Sequence, residues 1–102
     1  MQVIVIGAGD VGYELASRLS RDNHDVVVIE KNPARAERVK YHLDVLVVQG
    51  NGASARVLEE AGIKKAELLI AVTGLDEYNI MACMLAKRYG VELTVARIRN
   101  QE

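Results

Sequence analysis

Cysteine is almost absent from this chain of 102 residues, and so are proline and the large aromatic side chains. The single cysteine, Cys83, excludes a disulfide bond within the chain and suits a reducing compartment. Phenylalanine and tryptophan are missing and there are only four tyrosines, so few rings are available for stacking on nucleic-acid bases. No apolar run approaches the ~20 residues that a membrane-spanning helix needs.

An excess of charge of one sign is also lacking. The 13 basic and 14 acidic residues are interspersed and give a net charge of −1, without a basic block that would mark a nucleic-acid-binding face. The N-terminus enters an apolar run directly and has no signal-peptide pattern. Because half of the residues are hydrophobic, one core can form. We therefore expect a single cytoplasmic domain over residues 1–102, with no nucleic-acid partner and no direct membrane insertion.

Short apolar runs alternate with segments of helical spacing along the whole chain. Strands are predicted at residues 3–6, 26–30, 45–48, 68–72 and 93–98, and helices at about 11–22, from Pro33, from Ser54 to Gly62 and at about 77–89. Nearly continuous apolar strands indicate a parallel sheet that is covered on both faces. Right-handed crossovers then favour strand order 3-2-1-4-5, a Rossmann-like doubly wound α/β fold in three layers.

The fourth predicted helix carries large apolar residues at helical spacing. We expect it to bury Ile80, Met81, Met84 and Leu85 against the sheet. Cys83 lies in the same stretch, and core packing explains it better than thiol reactivity does.

The most informative motif is the G-x-G-x-x-G turn of residues 7–12, which follows the first strand and opens the first helix. Gly7 permits a tight turn, Gly9 lets a pyrophosphate approach the backbone, and Gly12 lets the helix lie close to the strand. Glu30 ends the second strand, where a carboxylate accepts hydrogen bonds from ribose and repels the 2′-phosphate of NADP. The pattern predicts an adenosine-containing nucleotide, the alternatives being a turn kept for packing alone and a solvated Glu30.

The other strands are expected to end on the same edge of the sheet. That edge then includes residues 50–52, residues 73–74 and Arg97. An arginine late in a buried strand needs an anionic partner. A nucleotide phosphate, Asp76 and Asp10 are the three partners that the sequence offers.

Catalytic and metal-binding groups do not assemble from the sequence. His24 lies in a polar turn and His42 near the end of a helix, and neither has a second ligand at metal-binding spacing. Because no nucleophile–base pair is evident, we expect no enzyme activity. Three interpretations remain: a nucleotide-sensing regulatory module, the NAD-binding fragment of a dehydrogenase, and a structural domain with a vestigial turn.

The whole chain resembles the N-terminal nucleotide-binding domain of Trk/Ktr-type potassium-uptake regulators, also called RCK or KTN domains. The resemblance rests on residues 5–12 (VIGAGDVG), 44–52 (DVLVVQGNG), 57–63 (VLEEAGI), 66–73 (AELLIAVT), 76–79 (DEYN) and 96–99 (ARIR). The run at 76–79 is more specific than the glycine turn, because ordinary dehydrogenases do not share it.

The resemblance implies a cytosolic regulatory subunit that forms dimers and rings beneath a membrane-embedded potassium transporter or channel. NAD(H) is the favoured ligand and ATP/ADP the alternative, and the nucleotide gates ion flux. The turn would hold phosphates, Glu30 the ribose, Asn51 and Gly52 the adenine, and Arg97 the phosphates. The candidate site residues are Gly7, Ala8, Gly9, Asp10, Val11, Gly12, Glu30, Lys31, Asn51, Gly52, Thr73, Gly74 and Arg97. A dimer is also expected because strand five would otherwise be a bare apolar edge.

Overall fold

The computed structural model describes residues 1–100 as five strands and four α-helices in alternation; Gln101 and Glu102 lie outside the described part. The strands are β1 (Gln2–Ile6), β2 (Asp25–Glu30), β3 (Leu46–Gln49), β4 (Leu68–Ala71) and β5 (Leu93–Ala96). The helices are α1 (Asp10–Arg21), α2 (Pro33–His42), α3 (Ala55–Glu60) and α4 (Asp76–Arg88), with a 3₁₀ turn at Ile63–Lys65.

The strands form one parallel sheet in the order β3-β2-β1-β4-β5. This confirms the predicted Rossmann-like topology. The chain builds outward from β1 through β2 to β3, and then crosses to the other side of β1 for β4 and β5. Ligands of doubly wound sheets bind where the strand order reverses, at the carboxyl ends of the strands. Here that point is the turn after β1.

Alternation along the central strand divides the core into two apolar layers. Val3 and Val5 of β1 pack with Ala16 of α1 and with α2, whereas Ile4 and Ile6 pack with α3 and α4 on the opposite face. Since successive side chains of a strand point to opposite faces, both faces of β1 are buried and apolar. The central strand is therefore fixed from both sides, and with it the position of the glycine turn.

Helix starts follow the signals in the sequence. The side chain of Asn32 caps α2 by accepting from the Arg35 backbone N–H at 3.0 Å, with Pro33 in the first turn. Ser54 caps α3 through the backbone N–H of Val57. By contrast, α1 begins at Asp10 and its N-cap residue, Gly9, supplies no side-chain cap. The first N–H groups of α1 are thus free to meet another acceptor.

The prediction of which face of α4 is buried is wrong. Ile80, Met81 and Met84 are exposed, with Met84 at 64%, whereas the helix buries Asn79, Ala82 and Ala86. Two alanines let α4 approach the sheet closely, which leaves the large apolar side chains on the outer face. Leu85 and Cys83 are half-buried and pack against the core, as expected for them.

Candidate functional site

The loops that follow the strands enclose a cleft of about 750 Å³ at the carboxyl edge of the sheet. This volume is in the range of small-molecule sites. All of the candidate site residues line the cleft except Ala8 and Gly12, which are buried behind its wall. The cleft extends to both sides of the glycine turn, toward β2 and β3 on one side and toward β4 and β5 on the other.

Gly7 and Gly12 shape the turn by close packing. Gly7 has φ +99°, and a Cβ there would lie 3.0 Å from the backbone of Val72 and Thr73. A Cβ on Gly12 would lie 1.8 Å from the carbonyl oxygen of Gly7. Because neither residue has a Cβ, the first turn of α1 lies against the end of β1, in agreement with the tight turn expected at Gly7 and the close helix–strand approach expected at Gly12.

Gly9 is different, because it has no packing constraint. An added Cβ would meet no heavy atom within 4 Å, and the backbone is extended at φ −68° and ψ −165°. The residue therefore borders open space in front of the uncapped N-terminus of α1. That combination of free N–H groups, helix dipole and open space favours an anion.

Glu30 connects the turn to the start of α2. The residue is 7% exposed; Oε1 of its carboxylate accepts from the Ala8 backbone N–H at 2.6 Å and Oε2 from that of Asn32 at 2.8 Å. The interpretation of Glu30 as a solvated strand-end residue is therefore wrong. Each carboxylate oxygen has further acceptor capacity. Since Glu30 lines the cleft, this capacity is available to hydroxyl groups of a ligand.

Arg97 also lines the cleft, on the side of β4 and β5. Its Nη2 donates to the carbonyl oxygens of Val72 at 2.8 Å and Thr73 at 3.0 Å. Its Nε is buried and has no hydrogen-bond partner within residues 1–100. Neither Asp10 nor Asp76 forms an ion pair with it in the described chain. The two internal ion pairs that the sequence offered are thus not formed.

The family model described as the TrkA-N domain matches residues 3–102. The chain belongs to the TrkA-N domain family. The Trk system potassium uptake protein TrkA homolog of Archaeoglobus fulgidus is 44% identical over 102 residues, covering 100% of this chain and 23% of that protein. The TrkA homolog 1 of Methanosarcina mazei is 53% identical over 109 residues, covering 100% and 26%. The chain thus spans about a quarter of these relatives.

Solved structures show the same fold. The Kef C-terminal domain of Shewanella denitrificans, in an AMP-bound form, has a TM-score of 0.78 and 24% identity, covering 93% of this chain and 57% of that one. The GsuK channel, bound to NAD, has a TM-score of 0.71 and 21% identity, covering 92% and 21%. The relatives are named as potassium uptake proteins and not as enzymes, which disfavours the dehydrogenase-fragment interpretation.

In this TrkA-N domain, the residue that organises the β4–β5 side of the cleft is Asn79, which is not among the candidate site residues and belongs only to the 76–79 run of the resemblance. It is fully buried. Its Oδ1 accepts from the Thr73 backbone N–H at 2.9 Å and hydroxyl at 2.7 Å, and its Nδ2 donates to the carbonyls of Thr73 at 3.2 Å and Arg97 at 2.9 Å. The available signal was a polar residue in helical register with the small Ala82 and Ala86.

The TrkA-N cleft also contains residues that sequence reasoning missed. Arg35, Arg99, Leu75 and Tyr78 line it, the first on α2 and the last on α4. The cations of the wall outnumber its carboxylates; they are Lys31, Arg35, Arg97 and Arg99 against Asp10 and Glu30. Arg35 was detectable, because it lies in the first turn after the Asn32 cap and hence at the same edge. The surplus positive charge favours an anionic ligand.

The segment after β5 is held against α4 by Asp76. Its carboxylate accepts from the backbone N–H groups of Arg99 at 3.1 Å and Asn100 at 2.8 Å. These hydrogen bonds, the one from Arg99 first, hold the pKa of Asp76 below its ordinary value, with smaller contributions from the positive charges of Arg99 and Arg97. Asp76 therefore acts as a clamp on the β5 side of the cleft.

No metal centre is evident in the described residues, where no three of His, Cys, Asp and Glu are arranged around a common point. His24 Nδ1 lies 3.3 Å from the N-terminal amine, and His42 Nδ1 lies 2.8 Å from the Arg38 carbonyl. Burial raises the pKa of the Cys83 thiol, which opposes thiolate chemistry. Among residues 1–100, no helix combines the length and apolar character needed to cross a bilayer.

Proposed function

We propose that the chain is the nucleotide-sensing domain of a regulatory subunit in a potassium uptake system. Its ligand is NAD(H), with ATP or ADP as the second candidate. Its output is a change in the conformation of a membrane-embedded potassium transporter or channel rather than a chemical reaction. Membership of the TrkA-N family and the names of the relatives support the potassium-transport setting.

One observation carries the nucleotide assignment. The buried carboxylate of Glu30 and the uncapped N-terminus of α1 line the same cleft, on either side of the glycine turn. The carboxylate can accept hydrogen bonds from ribose hydroxyls, and the N–H groups can donate to a phosphate. Together they match the two polar parts of the adenosine and diphosphate portion that NAD(H), ATP and ADP share. Inorganic phosphate alone would use only one of them.

The choice of NAD(H) rests on the extent of the cleft and on the charge of Glu30. The cleft continues past the turn toward β4 and β5, and we assign that part of it to a second nucleoside beyond the diphosphate. A carboxylate at the ribose position repels a 2′-phosphate, which disfavours NADPH. The arginines on the β5 side keep ATP as the alternative, since they suit a terminal phosphate.

Regulation follows from differential binding. A nucleotide shifts a partner only as far as its affinities for the two conformations differ, and reversing a 1:99 population needs about 5.5 kcal/mol. The chain acts as a homo-oligomer, a dimer or a ring, at the cytoplasmic face of its partner. The free energy needed for the shift is then divided among identical nucleotide sites. About 1 kcal/mol per site then suffices when several sites act together.

A thermal-unfolding panel with NADH, NAD, ATP, ADP and NADPH tests the proposal. A ligand at 100 times its Kd stabilises the protein by about 2.7 kcal/mol, which raises the Tm of a domain of this size by roughly 10–20 °C. We expect NADH and NAD to give this shift and NADPH a much smaller one. An unchanged Tm with all five ligands contradicts nucleotide binding, and a shift with ATP and ADP alone selects the second candidate.

A further inference from the structure

The cleft has two arms that meet at the glycine turn. The first arm is bordered by Glu30 at the end of β2 and by Asn51 and Gly52 after β3. The second arm is bordered by Thr73, Leu75 and Tyr78, which follow β4 in the chain. Because β1 lies between β2 and β4, a ligand that occupies both arms must pass over the turn.

A side-chain contact joins the two arms. Lys31 directly follows β2, Tyr78 lies in the first turn of α4, and Nζ of Lys31 is 5.8 Å from the centre of the Tyr78 ring. Both residues line the cleft. The contact therefore crosses the carboxyl end of β1, where the ligand diphosphate is proposed to lie. An exposed cation–π contact of this kind is weak, about 0.5–1 kcal/mol, so a ligand can displace it.

Tyr78 is the one aromatic side chain that lines the cleft within residues 1–100. It is half-buried and borders the second arm together with Leu75. A ring face beside an aliphatic side chain is a surface for a planar, partly apolar group. A mononucleotide in the first arm, with its phosphate on the turn, does not extend to it.

We propose that Tyr78 makes this site selective for dinucleotides over mononucleotides, and that Lys31 covers its ring until a ligand binds. In the free protein Lys31 contacts the ring of Tyr78. On binding, the ammonium group transfers to the diphosphate, where a charge-assisted contact replaces the weaker cation–π contact. The released ring then packs against the second nucleoside. This inference rests on the proposed function, since it presumes that the first arm binds adenosine.

Titration calorimetry with NADH and with AMP tests the role of Tyr78. For Tyr78→Ala we expect the Kd of NADH to rise roughly threefold to tenfold. The Kd of AMP should not rise, because the variant has no cation–π contact that the ligand must displace. Tyr78→Phe keeps the ring and is expected to bind both ligands within twofold of the wild type. The Tm of each variant shows whether the fold is retained. Equal losses for the two ligands, or none for NADH, would overturn the selectivity.

Lys31→Met tests the role of Lys31 with the same two ligands. Because both ligands carry phosphate on the turn, the variant is expected to weaken AMP and NADH alike, by severalfold each. A loss confined to NADH would overturn the transfer of Lys31 to the phosphate. If the wild-type protein binds neither ligand, the NAD(H) assignment of the proposed function fails; if it binds both and Tyr78→Ala does not distinguish them, only the present inference fails.

Discussion

At the scale of single residues, two glycines of one turn have opposite surroundings. Gly9 faces open space in an extended conformation, and Gly12 is pressed against the carbonyl of Gly7. We predict that Gly9→Ala leaves the Tm within about 2 °C of the wild type, because the methyl group meets nothing. The same methyl group occupies the space that a pyrophosphate needs, so NADH affinity should fall at least tenfold by calorimetry.

Gly12→Ala is the matched control for Gly9→Ala. Its Cβ would lie 1.8 Å from the Gly7 carbonyl oxygen, so α1 must move away from β1. Overpacking of this kind costs about 1–3 kcal/mol or more, which a urea unfolding curve detects. If Gly9→Ala binds NADH as tightly as the wild type does, the phosphates do not approach the turn at this residue.

Glu30 combines a structural and a binding role in one carboxylate. In Glu30→Gln the new side chain has one acceptor oxygen and one NH₂ group. The NH₂ group faces the N–H of either Ala8 or Asn32, both of which are donors, so one of the two hydrogen bonds is lost. We predict a loss of about 1–3 kcal/mol in the free energy of unfolding. NADH binding should weaken more than binding of inorganic phosphate; equal weakening of both would place the carboxylate outside the ribose site.

At the scale of secondary-structure elements, the sequence determined the type and order of the elements but not which face of α4 is buried. Helical spacing fits Ile80 and Met84 as well as it fits Asn79, Ala82 and Ala86. Apolar character favoured the first set. The second set is buried because small side chains allow close packing and because the side chain of Asn79 forms its hydrogen bonds with Thr73 and Arg97, outside its own helix. The sequence shows a polar residue in register with two alanines, but it does not show the partners that make burial of Asn79 favourable.

Asn79 should therefore tolerate substitution poorly. Asn79→Leu leaves the Thr73 N–H and the carbonyls of Thr73 and Arg97 without this partner. We predict that the free energy of unfolding falls by more than about 2 kcal/mol in urea titrations. The control on the same helix is Ile80→Ala, at an exposed residue, with an expected loss of about 1 kcal/mol or less. A similar loss for both variants would show that the amide network contributes little.

The Asp76 clamp gives the junction of α4 and the post-β5 segment a pH dependence. Because the folded pKa is lowered from 3.8, the stabilisation is fully present above that unfolded value and is lost as the pH falls through the folded pKa. In Asp76→Asn, one of the two backbone N–H groups loses its acceptor. We predict that the stability difference between wild type and variant is constant near neutral pH and shrinks below pH 3.8. A pH-independent difference would contradict the clamp.

At the scale of the whole molecule, parallel topology explains why much of the cleft was predictable. Once the strands are parallel and in the order found, the residues after each strand converge on one edge. Glu30, Thr73 and Arg97 reach the cleft for this reason. Arg99 and Tyr78 were missed because their positions depend on the path of the segment after β5 and on the rotation of α4. Those features are determined by tertiary contacts such as the Asp76 clamp.

The two edges of the sheet are formed by β3 and β5. Both edge strands expose apolar side chains, Leu46 on β3 and Leu93 and Val95 on β5. An apolar edge strand invites pairing with another chain. The expected dimer through β5 should therefore be weakened by Val95→Lys, which places a charge on that edge, and not by Leu46→Lys on the opposite edge. Sedimentation velocity over a concentration series measures the shift toward monomer.

Each outcome of that comparison has a distinct meaning. A dimer that Val95→Lys dissociates and Leu46→Lys leaves intact places the interface at β5. The reverse result places it at β3, where an apolar side chain is also exposed on the outermost strand. A wild-type chain that sediments as a monomer at every concentration contradicts the expected dimer of residues 1–102. Residues 1–102 alone would then not supply the identical sites among which the regulatory free energy is divided.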